Sequence, residues 1–210
     1  CLAHEPKQPT WSVEQKLQAV RWRRQLAEAH YSRGDIHAQG IAVRRALRVA
    51  GEPVLRSPTT ILIRLLWRGL RLAFQQAYPP SPRWVQRDDL RFWERELARC
   101  LNQAAMVDYF ELRFSLGMYN LVGAVTHAER TGFSVEMAVA SAQLACGLGI
   151  LGWRNACEHF MERAERVALA LADPAVHAHV CNLDALWHLG RCEWSVVDRR
   201  LDQSQELCLR

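Results

Sequence analysis

Apolar side chains recur three and four residues apart through most of this chain, while the apolar-polar alternation with hairpin turns that marks strands is nearly absent. A repeat near 3.6 residues puts such positions on one face of a helix, so the spacing predicts an all-α fold. Ala156, Phe160, Ala164, Val167, Ala168 and Leu171 draw one such stripe, with Glu158, Glu162, Glu165 and Arg166 lying off it. Glu162 and Arg166 also form an i,i+4 pair. About half of the 210 residues are apolar, enough to bury a sizeable core.

Self-similarity along the chain decides how such helices are arranged. The run 127–130 (His-Ala-Glu-Arg) matches 163–166 (Arg-Ala-Glu-Arg) at an offset of 36, and a third copy around 203–206 lies 40 from Ala164. Leu189-Gly190-Arg191-Cys192-Glu193-Trp194 parallels Leu151-Gly152-Trp153-Arg154-Asn155 as the turn inside a helix pair. The cleanest unit is 26–35, ending in Gly34-Asp35, followed by 36–50 with Ala38, Ala42, Ala46 and Leu47 at helical spacing. Ser57-Pro58 opens a helix expected over 59–78, Pro79-Pro80-Ser81-Pro82 ends it, and 87–110 reads as helix-rich. The expected fold is therefore an α-solenoid of antiparallel helix pairs. Its parts are a tail or partial helix at 1–18, a pair at 19–51, an arginine-rich helix and proline turn at 52–83, and pairs at 84–132, 133–172 and 173–210. The last pair is expected to be incomplete.

The unit from Leu26 to Ala50 resembles a tetratricopeptide (TPR) motif: in that family small residues bring two helices together, an aromatic fills the gap and Gly-Asp makes the turn. Ala27, Tyr31 and Gly34-Asp35 match those roles. More widely, 27–51, 120–132 and 152–207 resemble the helical region after the ATPase module in bacterial signalling proteins that carry an adenylate or guanylate cyclase domain. The arginine-rich helix after Pro53 is similar to their inter-repeat segment. Trp153 and Trp194 depart from the TPR pattern, sitting in turns rather than inside a first helix. The resemblance implies that cyclase and ATPase chemistry lies outside these residues.

Charge and cysteine usage narrow the setting. The net charge of +5, with an isoelectric point near 9.0, suits an acidic partner but is modest for a nucleic-acid binder. Seven cysteines, an odd number with no C-x-x-C spacing, point to a reducing compartment and a cytoplasmic protein. The opening Cys-Leu-Ala-His lacks Met and any signal-peptide pattern, which suggests a fragment of a longer protein. The most apolar run, 61–74, is too short to span a bilayer and carries Arg64, Arg68 and Arg71, so no membrane span is expected.

Several motifs bear on chemistry. Gly147-Leu-Gly-Ile-Leu-Gly152 fits G-x-G-x-x-G in form, but that pattern cradles a pyrophosphate only between a strand and a helix, and an alanine-rich helical run precedes it. Its glycines are expected to serve close packing and a turn, and no G-x-x-x-x-G-K-[ST] occurs. His177 with Cys181 and His188 with Cys192 are i,i+4 pairs of soft metal ligands in no familiar zinc spacing, and His179 lies on the other face. Cys157 and His159, at i,i+2, diverge on a helix. Arg64, Arg68 and Arg71 form one stripe, expected first as the solvated edge of a buried helix, then as a contact for an acidic protein, with nucleic acid or anionic lipid behind.

The expected function is a non-catalytic scaffold binding a protein partner or adjacent domains of its parent, with no catalytic, cofactor-binding or metal residues and no small-molecule substrate. The alternative is the sensory helical arm of an ATPase-containing transcription regulator.

Overall fold

The structure, a computed structural model, describes residues 11–53, 55, 57–77 and 88–209. Among these there are nine α-helices and no strand, so the chain is all-α there. It divides into two compact units, residues 1–54 and 55–210.

In the first unit α1 (Val13–Ser32) and α2 (Ile36–Val49) form a hairpin. Ser12 and Gln15 cap α1 reciprocally, each side chain bonding the other's backbone N–H. The chain reverses at Gly34 (φ +75°), a left-handed position that glycine takes without steric cost. The Asp35 N–H then donates to the His30 carbonyl at 2.9 Å, while its carboxylate accepts from the Ala38 N–H at 2.9 Å and starts α2. Ala27, Ala42 and Ala46 are buried between the helices as their spacing predicts. Tyr31 does not fill the gap: it is exposed in the last turn of α1. Val20 on α1 and Val43 on α2, by contrast, are both buried.

The second unit holds α3 (Pro58–Ala77), α4 (Asp88–Phe110), α5 (Phe114–Glu129), α6 (Val135–Ile150), α7 (Arg154–Leu171), α8 (Pro174–Leu189) and α9 (Trp194–Cys208). The proline run 79–82 lies outside the described residues. Hairpins α4–α5, α6–α7 and α8–α9 follow one another; α6 also packs on α4, α5 and α8, α8 packs on α7, and α3 lies against α5.

The three hairpins turn in the same way. Leu112 (φ +57°), Gly152 (φ +78°) and Cys192 (φ +60°) take the left-handed conformation at steps of 40 residues. The next N–H in each case reaches back to the first helix: Arg113 to Asp108 at 2.7 Å, Trp153 to Leu148 at 3.0 Å, Glu193 to His188 at 3.1 Å. The same 40-residue step relates the buried small residues. Ala98, Ala138 and Ala178 are buried on the first helices, as are Ala105, Ala145 and Ala185; Ala124, Ala164 and Ser204 are buried on the second. Between the first-helix positions, Leu101, Ser141 and Cys181 occupy one level and are each nearly inaccessible. Small side chains let two axes approach, and their recurrence at one register repeats one packing solution three times.

Candidate interaction surfaces

Ion pairs tie each hairpin to the next. Between second helices, Arg163 Nη1 lies 2.6 Å from Glu129 Oε1, and Arg200 Nη1 lies 2.9 Å from Glu165 Oε1. Between first helices, Arg99 Nη2 is 2.5 Å from Glu136 Oε1. Arg200 also reaches Asp184 at 2.6 Å, joining α7, α8 and α9 through one guanidinium. Within α4–α5, Glu94 pairs with His127 and, at 2.8 Å, with Arg130. Burial pushes the Glu94 carboxyl up, but those two partners overcome it and hold it below its ordinary value. At Glu129 burial wins over Arg163 and Arg130, and that carboxyl is raised. The sequence offers only the offsets of these charges, which look like solvated helix faces until the neighbouring helix is placed.

The arginine stripe is split by the fold. Arg68 faces α5, where its guanidinium sits 3.9 Å from the centre of the Tyr119 ring and Nη1 donates to the Tyr119 carbonyl at 3.3 Å. Gly123 makes that approach possible, since a Cβ there would collide with the guanidinium. Arg64 and Arg71 are exposed. The helix is not buried as the sequence suggests: Ile61 and Leu72 face inward, whereas Leu62, Ile63, Leu66, Trp67, Leu70 and Phe74 are 53–70 % exposed. Periodicity alone misses this because α3 is apolar on both faces and, among the described residues, it is the inward face that packs on a helix, α5.

The glycine motif lies in a helical context. Gly147 and Gly149 belong to α6; a Cβ at Gly147 would press on Met118 Sδ (2.8 Å) and Leu121 of α5, and one at Gly149 would enter the Trp187 ring of α8. Gly152 makes the left-handed turn. Gly147 and Gly149 thus serve close helix packing and Gly152 the turn, the two roles expected of these glycines.

The metal and nucleophile candidates are dispersed. His188 is taken up by the α8–α9 turn, with Nδ1 2.6 Å from Glu193 and Nε2 3.5 Å from Asp184. Cys192 is the exposed left-handed residue of that turn, whereas His177 and Cys181 are buried in α8. Among the described residues no group of three or more His, Cys, Asp or Glu is placed to hold a metal ion. Cys157 is completely buried while His159 is exposed, its ring edge-on to Phe160 at 5.4 Å, so the two side chains diverge. Burial raises the Cys157 thiol to about 11 and the Cys146 thiol to about 12, so neither is a thiolate nucleophile near neutral pH. Cys146 instead donates to the Leu183 carbonyl at 3.2 Å.

A second apolar feature follows the hairpin turns. Tyr109, Phe110, Leu112 and Phe114 are exposed around the first, Ile150, Leu151 and Trp153 around the second, and Leu189 and Trp194 around the third. Trp153 caps α7 and Trp194 opens α9, so both tryptophans stand at turns as the sequence suggests. Because the three turns share one register, these side chains occupy the same end of each hairpin.

No helix is long and apolar enough to cross a membrane among the described residues. No family model matches the chain, and no curated protein or solved structure matches it.

Proposed function

We propose that this chain is a non-catalytic helical-repeat scaffold, an α-solenoid of degenerate TPR-like hairpins that mediates protein-protein or interdomain contacts within a larger ATPase- or cyclase-type signalling protein. The observation that carries this reading is the common register of the three turns at 112, 152 and 192 with the small buried residues on either side of them. A repeat of that kind meets mainly its neighbours, which leaves surface rather than an enclosed cleft as the means of action. The exposed apolar side chains at the turns are the natural place for a partner domain to dock. The buried, protonated thiols suit a reducing, cytoplasmic setting.

Two observations test it. The coding sequence on either side should carry an ATPase module with a cyclase-type or related signalling output, and a helix-turn-helix output there would favour the regulator's sensory arm. The purified chain with ATP or GTP and magnesium should give no diphosphate and no cyclic nucleotide above buffer. Turnover that copurifies with the chain, and that survives replacement of contaminating activities, would overturn the non-catalytic reading.

A further inference from the structure

We infer that the outward face of α3 is a peripheral membrane-binding surface that lies on anionic lipid. At about 100° per residue, Leu62, Ile63, Leu66, Trp67, Leu70 and Phe74 span an arc of roughly 140° opposite the face that meets α5. The inward face is fixed by Ile61, Arg68 and Leu72, the first and last buried and the second bonded to Tyr119. Six large apolar side chains at 53–70 % exposure form a patch that a protein surface does not ordinarily leave to water.

Three features of α3 choose among occupants. Residues 53–77 contain arginines at 56, 64, 68 and 71 and no Asp, Glu or Lys, so this segment carries only positive charge, and Arg64 and Arg71 are its exposed arginines on α3. Two copies meeting through this face would bring carboxylate-free, arginine-bearing segments together, which disfavours a self-associated pair. The exposure is also high along the whole stripe from Leu62 to Phe74, so the side chains stand up as a ridge instead of lining a groove. A groove would receive a partner's helix; a ridge of Leu, Ile, Trp and Phe sinks into the boundary between headgroups and acyl chains. Arg64 and Arg71 lie at the border of the arc, where their long side chains reach lipid phosphates while the apolar side chains insert. The helix lies on such a surface and does not cross it, consistent with the absence of a spanning helix among the described residues.

This inference is independent of the repeat reading, which concerns α4 to α9, and either can fail alone. The test uses the whole chain in flotation assays with vesicles of phosphatidylcholine containing phosphatidylglycerol, and with phosphatidylcholine alone. Binding to the anionic vesicles and little to the neutral ones is the expected result, and brominated lipid should quench Trp67, a quenching component that Trp67→Leu removes. Leu66→Glu with Leu70→Glu, both on the exposed face and checked for unchanged helix content, should abolish flotation. Arg64→Gln with Arg71→Gln should weaken it about 30-fold, taking about 1 kcal/mol for each basic residue at an anionic surface. Trp153→Ala with Trp194→Ala, at the hairpin turns, should leave it unchanged. No flotation with anionic vesicles would overturn the inference, as would flotation that persists in the double glutamate variant. An α3-dependent dimer, or an α3-dependent complex with an acidic protein without lipid binding, would overturn it in favour of that occupant.

Discussion

Arg163→Ala is expected to lower the unfolding free energy by about 3–5 kcal/mol at neutral pH, because it strands a buried carboxylate and not because a surface ion pair is lost. The Glu129 side chain is 5 % exposed and that of Arg163 17 %. Burial already raises the Glu129 carboxyl against the opposing pull of Arg163 and Arg130, so removing Arg163 raises it further. The sign with pH follows. A carboxyl raised in the folded state favours folding when protonated, and that contribution is lost as pH rises through its folded value. The deficit of Arg163→Ala relative to the parent should therefore shrink on acidification toward the ordinary carboxyl value of 4.5. Adding Glu129→Gln should recover most of it at pH 7. Chemical denaturation at pH 7 and pH 5 for the parent and both variants measures this, and a deficit that is small and independent of pH would show that the pair contributes little.

The position shared by Leu101, Ser141 and Cys181 gives the second large effect, with opposite signs at two of its members. Leu101 is 1 % exposed, and Leu101→Ala removes three buried carbons and leaves a cavity, which costs about 2–5 kcal/mol. Ser141 is fully buried and, among the described residues, its hydroxyl has no hydrogen-bond partner. Ser141→Ala therefore removes an unsatisfied polar group and improves helix propensity, for a gain of about 1–2 kcal/mol. Thermal or urea unfolding of the two variants should move in opposite directions. A destabilising Ser141→Ala would mean that the hydroxyl is satisfied.

How much of this was legible in the sequence differs by element. The helices were, because their stripes and caps are local: Ser57-Pro58 does open α3. The period was legible only roughly. Matching 127–130 to 163–166 equates Ala128 with Ala164, and both are buried, but the turns equate Ala124 with Ala164. Ala-Glu-Arg stands one turn further along α5 than along α7, so local identity picks the wrong pair by one turn. The turns themselves were partly hidden, since Leu112 and Cys192 do at two of them what Gly152 does at the third. The role of Arg68 was not legible at all: its partner Tyr119 and the space left by Gly123 lie about 50 residues away. Nor was the exposed face of α3, because an apolar helix reads as buried until the number of its neighbours is known.

The repeat reading is tested most directly by excising one period in register. Deleting residues 153–192 joins Gly152 to Glu193, so that α6 runs through its own left-handed turn into α9 and a single hairpin replaces two. Ala138, Ser141 and Ala145 then face α9 where Ala178, Cys181 and Ala185 stood. A stack of equivalent hairpins keeps its fold when a whole unit is removed, losing stability and the associated surface in step. Denaturation of the shortened chain, followed by far-ultraviolet circular dichroism, should show a helical protein that unfolds cooperatively with a lower midpoint and a smaller m-value. A shortened chain that is expanded, non-cooperative or unfolded in buffer would contradict the account, placing α4 to α9 in a single core that cannot spare a unit.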